Sequence, residues 1–253
     1  MPLDDIVAHS YLEPYPAVTD AILGINSMQL QSQGAVDGEL CQRARCWFYR
    51  NGQSLLDGDA VENGANCFHA IFANRRRAKF VHSSRIALAL SALGASLRVV
   101  GPGEEERLIP AADFFRVPRN EEQREHVLTP DQLLTHIVLP PTSRANATYE
   151  VRTGEGLAYP LASEACVLDV NSDGIVRSDR VVLGQVAPIP WASQLAEKAL
   201  VGRGLDEVAA EAAVAASVED ATPLSQNVYK VQLIKVSVKR AGLRAAGLET
   251  GGF

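Results

Sequence analysis

Two carboxylate side chains near residue 38 are the first candidates for chemistry in this sequence. Asp37 and Glu39 flank Gly38 in the stretch Ala-Val-Asp-Gly-Glu. Two carboxyl groups held close together can serve as general acid and general base when a pocket and a third group position them. The sequence shows neither that pocket nor that third group, so no catalytic residue is assigned.

Two histidines, His69 and His82, could bind a metal ion or transfer a proton near neutral pH. Metal ligation requires further acidic or thiol side chains at suitable spacing, and none accompanies either histidine. Hydrogen-bonded structural histidines are therefore favoured, and no metal site is predicted. The sequence also contains no P-loop, no Gly-x-Ser-x-Gly elbow and no His-Glu-x-x-His motif.

A basic run, Arg75-Arg76-Arg77 followed by Lys79, could hold a phosphate group or an acidic partner. Short runs of one charge are usually solvated faces of loops. The sequence favours the solvated face and leaves the binding role as the alternative.

The composition is that of an ordinary globular protein, with 253 residues, 47% hydrophobic, 21% charged and a formal net charge of -6. That charge argues against general affinity for nucleic acid or anionic lipid, and no apolar run approaches the length of a membrane span. The N-terminus lacks a secretory signal, and the four cysteines are irregularly spaced. A reduced, cytoplasmic setting is expected, although a subunit can also be exported with a partner that carries the signal.

Helices and strands that could position these side chains are visible as periodic patterns in the first 140 residues. The loops are predicted at residues 29–39 and 51–66, which are polar and glycine-containing. Pro140 and Pro141 end the last strand because proline cannot continue a ladder. The patterns predict helices at 16–27, 84–94 and 111–115, and strands at 96–101, 107–109 and 133–139.

A boundary is predicted near residues 140–146, and the pattern changes beyond it. Three strands are expected at 148–152, 162–170 and 175–186, the last two joined by the turn Asn171-Ser172-Asp173-Gly174. Three helices should follow, at 191–200, 205–217 and 223–246. Antiparallel strands followed by helices predict an α+β fold with helices on one sheet face.

Several segments together resemble a known family. They are IPAADFF at 109–115, LTPDQLLTHIVLP at 128–140, and longer stretches at 181–203 and 221–241. The chain resembles, over about residues 15–246, the FAD-binding medium subunit of the molybdenum hydroxylases, the xanthine dehydrogenase family. The members with an inserted iron–sulfur loop, such as hydroxybenzoyl-CoA reductase, are the most similar.

The resemblance implies a fold and a function. Residues 1–140 would form part of a PCMH-type FAD-binding domain, with an inserted loop at about 46–78, and residues 146–247 a CO dehydrogenase flavoprotein C-terminal-like domain. FAD would be the cofactor of an oxidoreductase subunit. It would pass electrons from iron–sulfur clusters to an external acceptor. The implied partners are a molybdopterin-binding large subunit and a 2Fe-2S small subunit.

Flavin-contact positions follow from the family's Thr-(Ile/Leu)-Gly-Gly-Asn turn and Pro-Ser-Asp motif. Asp37 and Glu39 stand at the first Gly and the Asn of the turn. Arg85 replaces the acidic residue of the second motif, and a family lysine is replaced near Glu150. The two carboxylates should lower the flavin potential. The positions implied to bind the cofactor are Val36, Asp37, Gly38, Glu39, Ser84, Arg85 and Leu134.

Other departures suggest an alternative. The glycine-rich first lobe of the family is not found in the sequence. Of the four thiolates that a [4Fe-4S] cluster requires, only Cys46 is in place, because Leu55, residues 58–60 and Ala78 occupy the other positions. We therefore expect no cluster and a loosely ordered insertion. The alternative function is a degenerate or truncated homologue that acts as a non-catalytic scaffold subunit without FAD.

Overall fold

The structure is a computed structural model, and it describes residues 1–154, 156–204 and 207–250. Within these residues, eight short α-helices occupy the N-terminal half, and three further α-helices follow the second sheet. The helices are α1 Leu3–Val7, α2 Pro16–Leu23, α3 Met28–Gln33, α4 Val36–Cys41, α5 Trp47–Arg50, α6 Gly58–Asn63, α7 Ile86–Leu93, α8 Ala111–Phe114, α9 Gln194–Leu200, α10 Glu207–Ala216 and α11 Tyr229–Ala245.

Two antiparallel sheets organise the molecule. The first has the order β2-β1-β3, with β1 Ser96–Val100, β2 Glu106–Pro110 and β3 Leu133–Val138. The second has the order β4-β5-β6-β7, with β4 Ala145–Val151, β5 Ala162–Val170, β6 Val176–Gly184 and β7 Trp191–Ala192. The second sheet has one strand more than predicted, because residues 191–192 pair with β6 before α9 begins.

Helix α7 connects the N-terminal half to the second sheet. All eight of its residues are buried, and Gly94 ends the helix with a φ of 72°, a conformation that glycine adopts without strain. Ala165, Val167 and Val182 of the sheet belong to the same apolar cluster as this helix. Helices α9, α10 and α11 cover the opposite face in a second cluster. The three helices that follow the strands therefore pack on one sheet face, as predicted, and the N-terminal half supplies a layer on the other face.

Two predicted loops contain helices. Residues 29–39 hold α3 and α4, because the Ser27 hydroxyl accepts the Leu30 N–H at 3.2 Å and caps α3. Residues 51–66 hold α6, where the Asp57 carboxylate accepts the Ala60 N–H at 3.1 Å. The last helix begins at Tyr229 and not at residue 223. The first two residues of the helix expected at 205–217 lie outside the described residues.

Candidate functional site

A cleft of about 420 Å³ lies where the N-terminal half meets the second sheet. Its walls combine aromatic and apolar side chains with a few polar groups, the usual composition of a cofactor site. The connection between β4 and β5 forms one wall, and the segment before α7 forms another. The lining includes Trp47, His69, Ser83, Leu157, Tyr159, Gln185 and Lys230.

Two buried polar atoms in this cleft lack a partner among the described residues, namely Ser83 Oγ and His69 Nδ1. Such atoms are uncommon in folded proteins because leaving them unpaired is unfavourable. Burial and the charge of Lys230 lower the pKa of His69 to about 4, so its ring is neutral at pH 7. Both residues line the cleft, and their unpaired atoms are buried within its wall.

Lys230 supplies a buried amine in the cleft. Its Nζ donates to the carbonyls of Phe68 at 3.0 Å and Gln185 at 2.8 Å, so it ties two walls together. Burial lowers the pKa of Lys230 to about 7. A group with that pKa is partly protonated at neutral pH and can respond to a nearby negative charge.

Tyr159, one of the residues that line the cleft, is held between two arginines. The guanidinium carbon of Arg45 lies 4.1 Å from the ring centroid, and that of Arg85 lies 4.7 Å away. The Tyr159 hydroxyl donates to Gln42 Oε1 at 3.1 Å, and Arg85 donates to the Ala158 carbonyl at 3.0 Å. These contacts fix the segment that carries Tyr159 against the N-terminal half.

Glu39 connects α4 to the start of α7. Its Oε1 accepts the backbone N–H of Arg85 at 2.8 Å, and its Oε2 accepts Gln42 Nε2 at 2.7 Å. Burial raises the pKa of Glu39 to about 7, although the hydrogen bond from Arg85 opposes that rise. Ser84 caps α7, since its Oγ accepts the Ala87 N–H at 3.1 Å. The structure thus brings Glu39, Ser84 and Arg85 together.

Arg85 also forms a buried ion pair with Glu150. The distance from Nη1 to Oε2 is 3.8 Å, and the two side chains are 4% and 6% exposed. Arg152 approaches the same carboxylate at 3.7 Å. Burial raises the pKa of Glu150, and the two guanidinium groups oppose that rise.

The other expected cofactor positions lie elsewhere. Val36, Asp37 and Leu134 line a separate cavity of about 580 Å³, together with Ile86. Gly38 is exposed, and a Cβ added there would meet no atom within 4 Å. In this structure the space around Gly38 therefore does not itself require glycine.

The insertion at residues 46–78 was expected to be loosely ordered, but the structure shows a packed segment. Leu55 and Ala78, at two positions where the family resemblance places cluster ligands, are buried in one apolar cluster with Phe80. Cys46 packs against that cluster, and its Sγ lies 3.3 Å from His69 Nε2. In the described part of the chain, no three histidine, cysteine or acidic side chains are grouped to hold a metal ion. Apolar packing therefore orders this part of the insertion.

Some site residues were not found from the sequence. Tyr159, Gln42, Gln185 and Lys230 carry no motif, and their roles arise from contacts between distant segments. One signal was available, because the connection between β4 and β5 runs over residues 152–161. Hairpin loops usually have two to five residues, and longer ones often carry function.

All four cysteines are free thiols. No helix in the described ranges is long and apolar enough to cross a membrane.

Comparison with known proteins relates this fold to defined families. Residues 1–142 match the FAD binding domain in molybdopterin dehydrogenase, and residues 147–245 match the CO dehydrogenase flavoprotein C-terminal domain. The chain is 30% identical over 239 residues to the aldehyde oxidoreductase FAD-binding subunit PaoB of Escherichia coli K12, covering 91% of this chain and 72% of that protein.

Two further proteins are similar. The carbon monoxide dehydrogenase medium chain of Afipia carboxidovorans is 30% identical over 162 residues, covering 62% of this chain and 54% of that protein. The structure of reconstituted CO dehydrogenase from Oligotropha carboxidovorans is similar with a TM-score of 0.70 at 22% identity, over 98% of this chain and 74% of that one. The predicted α+β fold, with a FAD-binding part followed by a CO dehydrogenase flavoprotein C-terminal part, is confirmed.

Proposed function

This chain belongs to the FAD-binding family of the molybdopterin dehydrogenases, and from that premise we propose that it is the electron-transfer subunit of a molybdenum hydroxylase. Its partners are a molybdopterin-binding large subunit and a 2Fe-2S small subunit. When bound, FAD supplies the ring that takes up electrons and passes them to an external acceptor. No observation favours the alternative of a scaffold subunit without FAD.

The observation that carries this proposal is the cleft of about 420 Å³ with Ser83 Oγ and His69 Nδ1 unpaired in its wall among the described residues. Its volume falls within the range of cofactor and ligand sites, roughly 300–1,000 Å³. A flat heteroaromatic ring with a polar edge suits walls that combine aromatic and apolar side chains with a few polar groups. The residues present therefore fit a flavin ring.

The residues named from the family resemblance are assigned roles as part of this proposal. Glu39, Ser84 and Arg85 position the wall of the cleft through their mutual hydrogen bonds. The second cavity, which Val36, Asp37 and Leu134 line, would receive another part of the cofactor. Gly38 lies exposed on α4, between Asp37 and Glu39 in the sequence.

Finer expectations from the sequence also stay proposals. We propose that the chain is most similar to the hydroxybenzoyl-CoA reductase-like members of the family. We also propose that it holds no [4Fe-4S] cluster and that it is cytoplasmic. The expected absence of the first FAD lobe is tested by the intact mass of the subunit purified from its source. Division into parts at residues 1–140 and 146–247 remains a prediction.

Affinity purification from the native source tests the subunit assignment. With this chain tagged, we expect molybdenum, iron and FAD to elute in one particle at fixed ratios. A folded chain that elutes without molybdenum and iron under mild conditions would contradict membership of such a complex. A particle with both metals and no flavin would contradict the electron-transfer role.

A further inference from the structure

A second, strongly basic cavity lies apart from the flavin cleft. Its volume is about 1120 Å³, and it shares no lining residue with that cleft. Five arginines line it, with Asp220 as the acidic residue in the same lining. The whole chain carries a net charge of -6, so this local charge runs against the overall balance. The five arginines are Arg75, Arg76, Arg77, Arg116 and Arg119.

Three of these guanidinium groups are unpaired. Within residues that the structure describes, those of Arg75, Arg76 and Arg119 make no hydrogen bond and no ion pair. Arg77 has a single distant acidic neighbour, Glu121, at 3.8 Å. Arg75, Arg76 and Arg77 are exposed, as expected of a solvated loop face, and the run also lines a concave site. Lys79 does not take part, since it is buried and pairs with Glu62 at 2.5 Å.

Buried hydrogen bonds anchor the backbone just before the arginine run. Asn74 is 2% exposed, and its amide donates to the carbonyls of Ala70 at 2.7 Å and Thr222 at 2.9 Å. Ala73, which lines the cavity, has a φ of 50°, in a region that residues other than glycine seldom adopt. Such a conformation persists where surrounding contacts impose it. Arg75, Arg76 and Arg77 therefore follow a backbone segment that is anchored by buried hydrogen bonds at Asn74.

An aromatic side chain forms another part of the lining. Trp191 stacks on Phe72 with ring centroids 5.6 Å apart and an interplanar angle of 16°. Trp191 also lines the arginine cavity. Arginine binds phosphate oxygens in a bidentate manner, and no lysine lines this cavity. An indole platform beside phosphate-binding groups suits the base of a nucleotide.

From these observations we infer that the arginine cavity binds a nucleotide with a di- or triphosphate group, the phosphates on Arg75, Arg76 and Arg119 and the base against Trp191. The site is independent of the flavin cleft and of the electron-transfer role. An acidic polypeptide is the competing ligand class. A concave cavity with an aromatic platform favours the nucleotide over a protein surface.

Calorimetry on the FAD-loaded protein tests this inference, with ATP in EDTA, inorganic tripolyphosphate and polyglutamate as probes. We expect one ATP to bind per chain, and tripolyphosphate to bind more weakly because it lacks a base. The double variant Arg75→Gln/Arg119→Gln should weaken both by about tenfold or more. Trp191→Phe should weaken ATP and leave tripolyphosphate unchanged.

The matched control is Arg107→Gln/Arg177→Gln, which removes the same charge from exposed positions outside the cavity. It should change either affinity by less than about twofold. Binding of polyglutamate alone, or no binding to the folded protein, would overturn the inference. Release of FAD by ATP would assign the cavity to the cofactor instead. Equal affinity for ATP and tripolyphosphate would remove the base subsite.

Discussion

Arg85 Nη1 and Glu150 Oε2 lie 3.8 Å apart in a buried ion pair that links the start of α7 to strand β4. The family resemblance places an acidic residue at position 85 and a lysine near position 150. Both positions have changed sign, and the structure shows that the new side chains meet. The two substitutions are therefore complementary, and the site keeps a cation and an anion in contact.

Charge reversal tests this coupling. Glu150→Lys should lower the free energy of unfolding by about 3–5 kcal/mol, because it places a third cation beside Arg85 and Arg152. Adding Arg85→Asp should recover more than about 1.4 kcal/mol of that loss, since opposite charges meet again. Urea denaturation of the four proteins in the cycle measures the coupling. Strictly additive effects would show that the pair is not coupled.

Glu39 should make stability depend on pH. Its folded pKa of about 7 exceeds the ordinary 4.5, so the folded state holds the proton more tightly than the unfolded state. The resulting stabilisation is fully present below about pH 4.5 and is lost as pH rises through 7. Relative to wild type, Glu39→Gln should gain about 1–3 kcal/mol between pH 5 and pH 8. Denaturation at a series of pH values measures this, with exposed Glu13→Gln as the control, and parallel curves would count against the assignment.

Buried Glu164 should act in the same direction. Its side chain lies among apolar residues, Oε2 has no partner in the described chain, and burial together with the Asp179 charge raises its pKa well above the ordinary value. Stabilisation by its bound proton is lost as pH rises from 4.5 towards that folded pKa. Glu164→Gln should therefore be more stable than wild type at pH 8 by more than about 1 kcal/mol, and nearly neutral at pH 5. A thermal midpoint unchanged at both pH values would contradict this.

Tyr159 should control local opening of the cleft. Removing the ring in Tyr159→Ala loses two cation–π contacts and one hydrogen bond, together about 2–3 kcal/mol. Tyr159→Phe loses only the hydrogen bond to Gln42, about 1 kcal/mol. Hydrogen exchange of residues 156–161 should be faster in Tyr159→Phe than in the wild type, and fastest in Tyr159→Ala. Equal exchange in all three proteins would show that Tyr159 does not hold the segment.

The insertion at residues 46–78 is expected to bind no iron. Leu55 and Ala78 are apolar residues at two positions where a cluster would need cysteine thiolates. Iron and acid-labile sulfide should therefore be absent from this chain once it is separated from its partners. Stoichiometric iron in the isolated chain would refute the expectation.

Strand β5 and helix α7 show what the sequence could predict. Residues 162–170 were expected as a strand and are β5, and Gly94 marks the end of α7 as its type suggested. Elements with long apolar patterns were predicted correctly because their apolar residues form the two layers of the core. Helices α3 and α4 were missed because six residues make fewer than two helical turns, too few to show a repeating apolar pattern.

The site was predictable only in part. Glu39, Ser84 and Arg85 were named from the family motif, and the structure joins them. The contacts of Arg85 with Glu150 and Tyr159 could not be foreseen, because they bridge 65 and 74 positions of sequence through the fold. Burial also reversed one expectation, since Glu39 has a pKa of about 7 and is not a fixed negative charge at neutral pH.

The most direct test of the central claim is the flavin content of the purified complex. The visible absorbance spectrum, with FAD released and quantified, gives the number of flavins per chain. We predict one FAD for each copy of this chain, and a lower ratio when Ser83→Val blocks the polar wall of the cleft. A colourless, correctly folded complex would contradict the account.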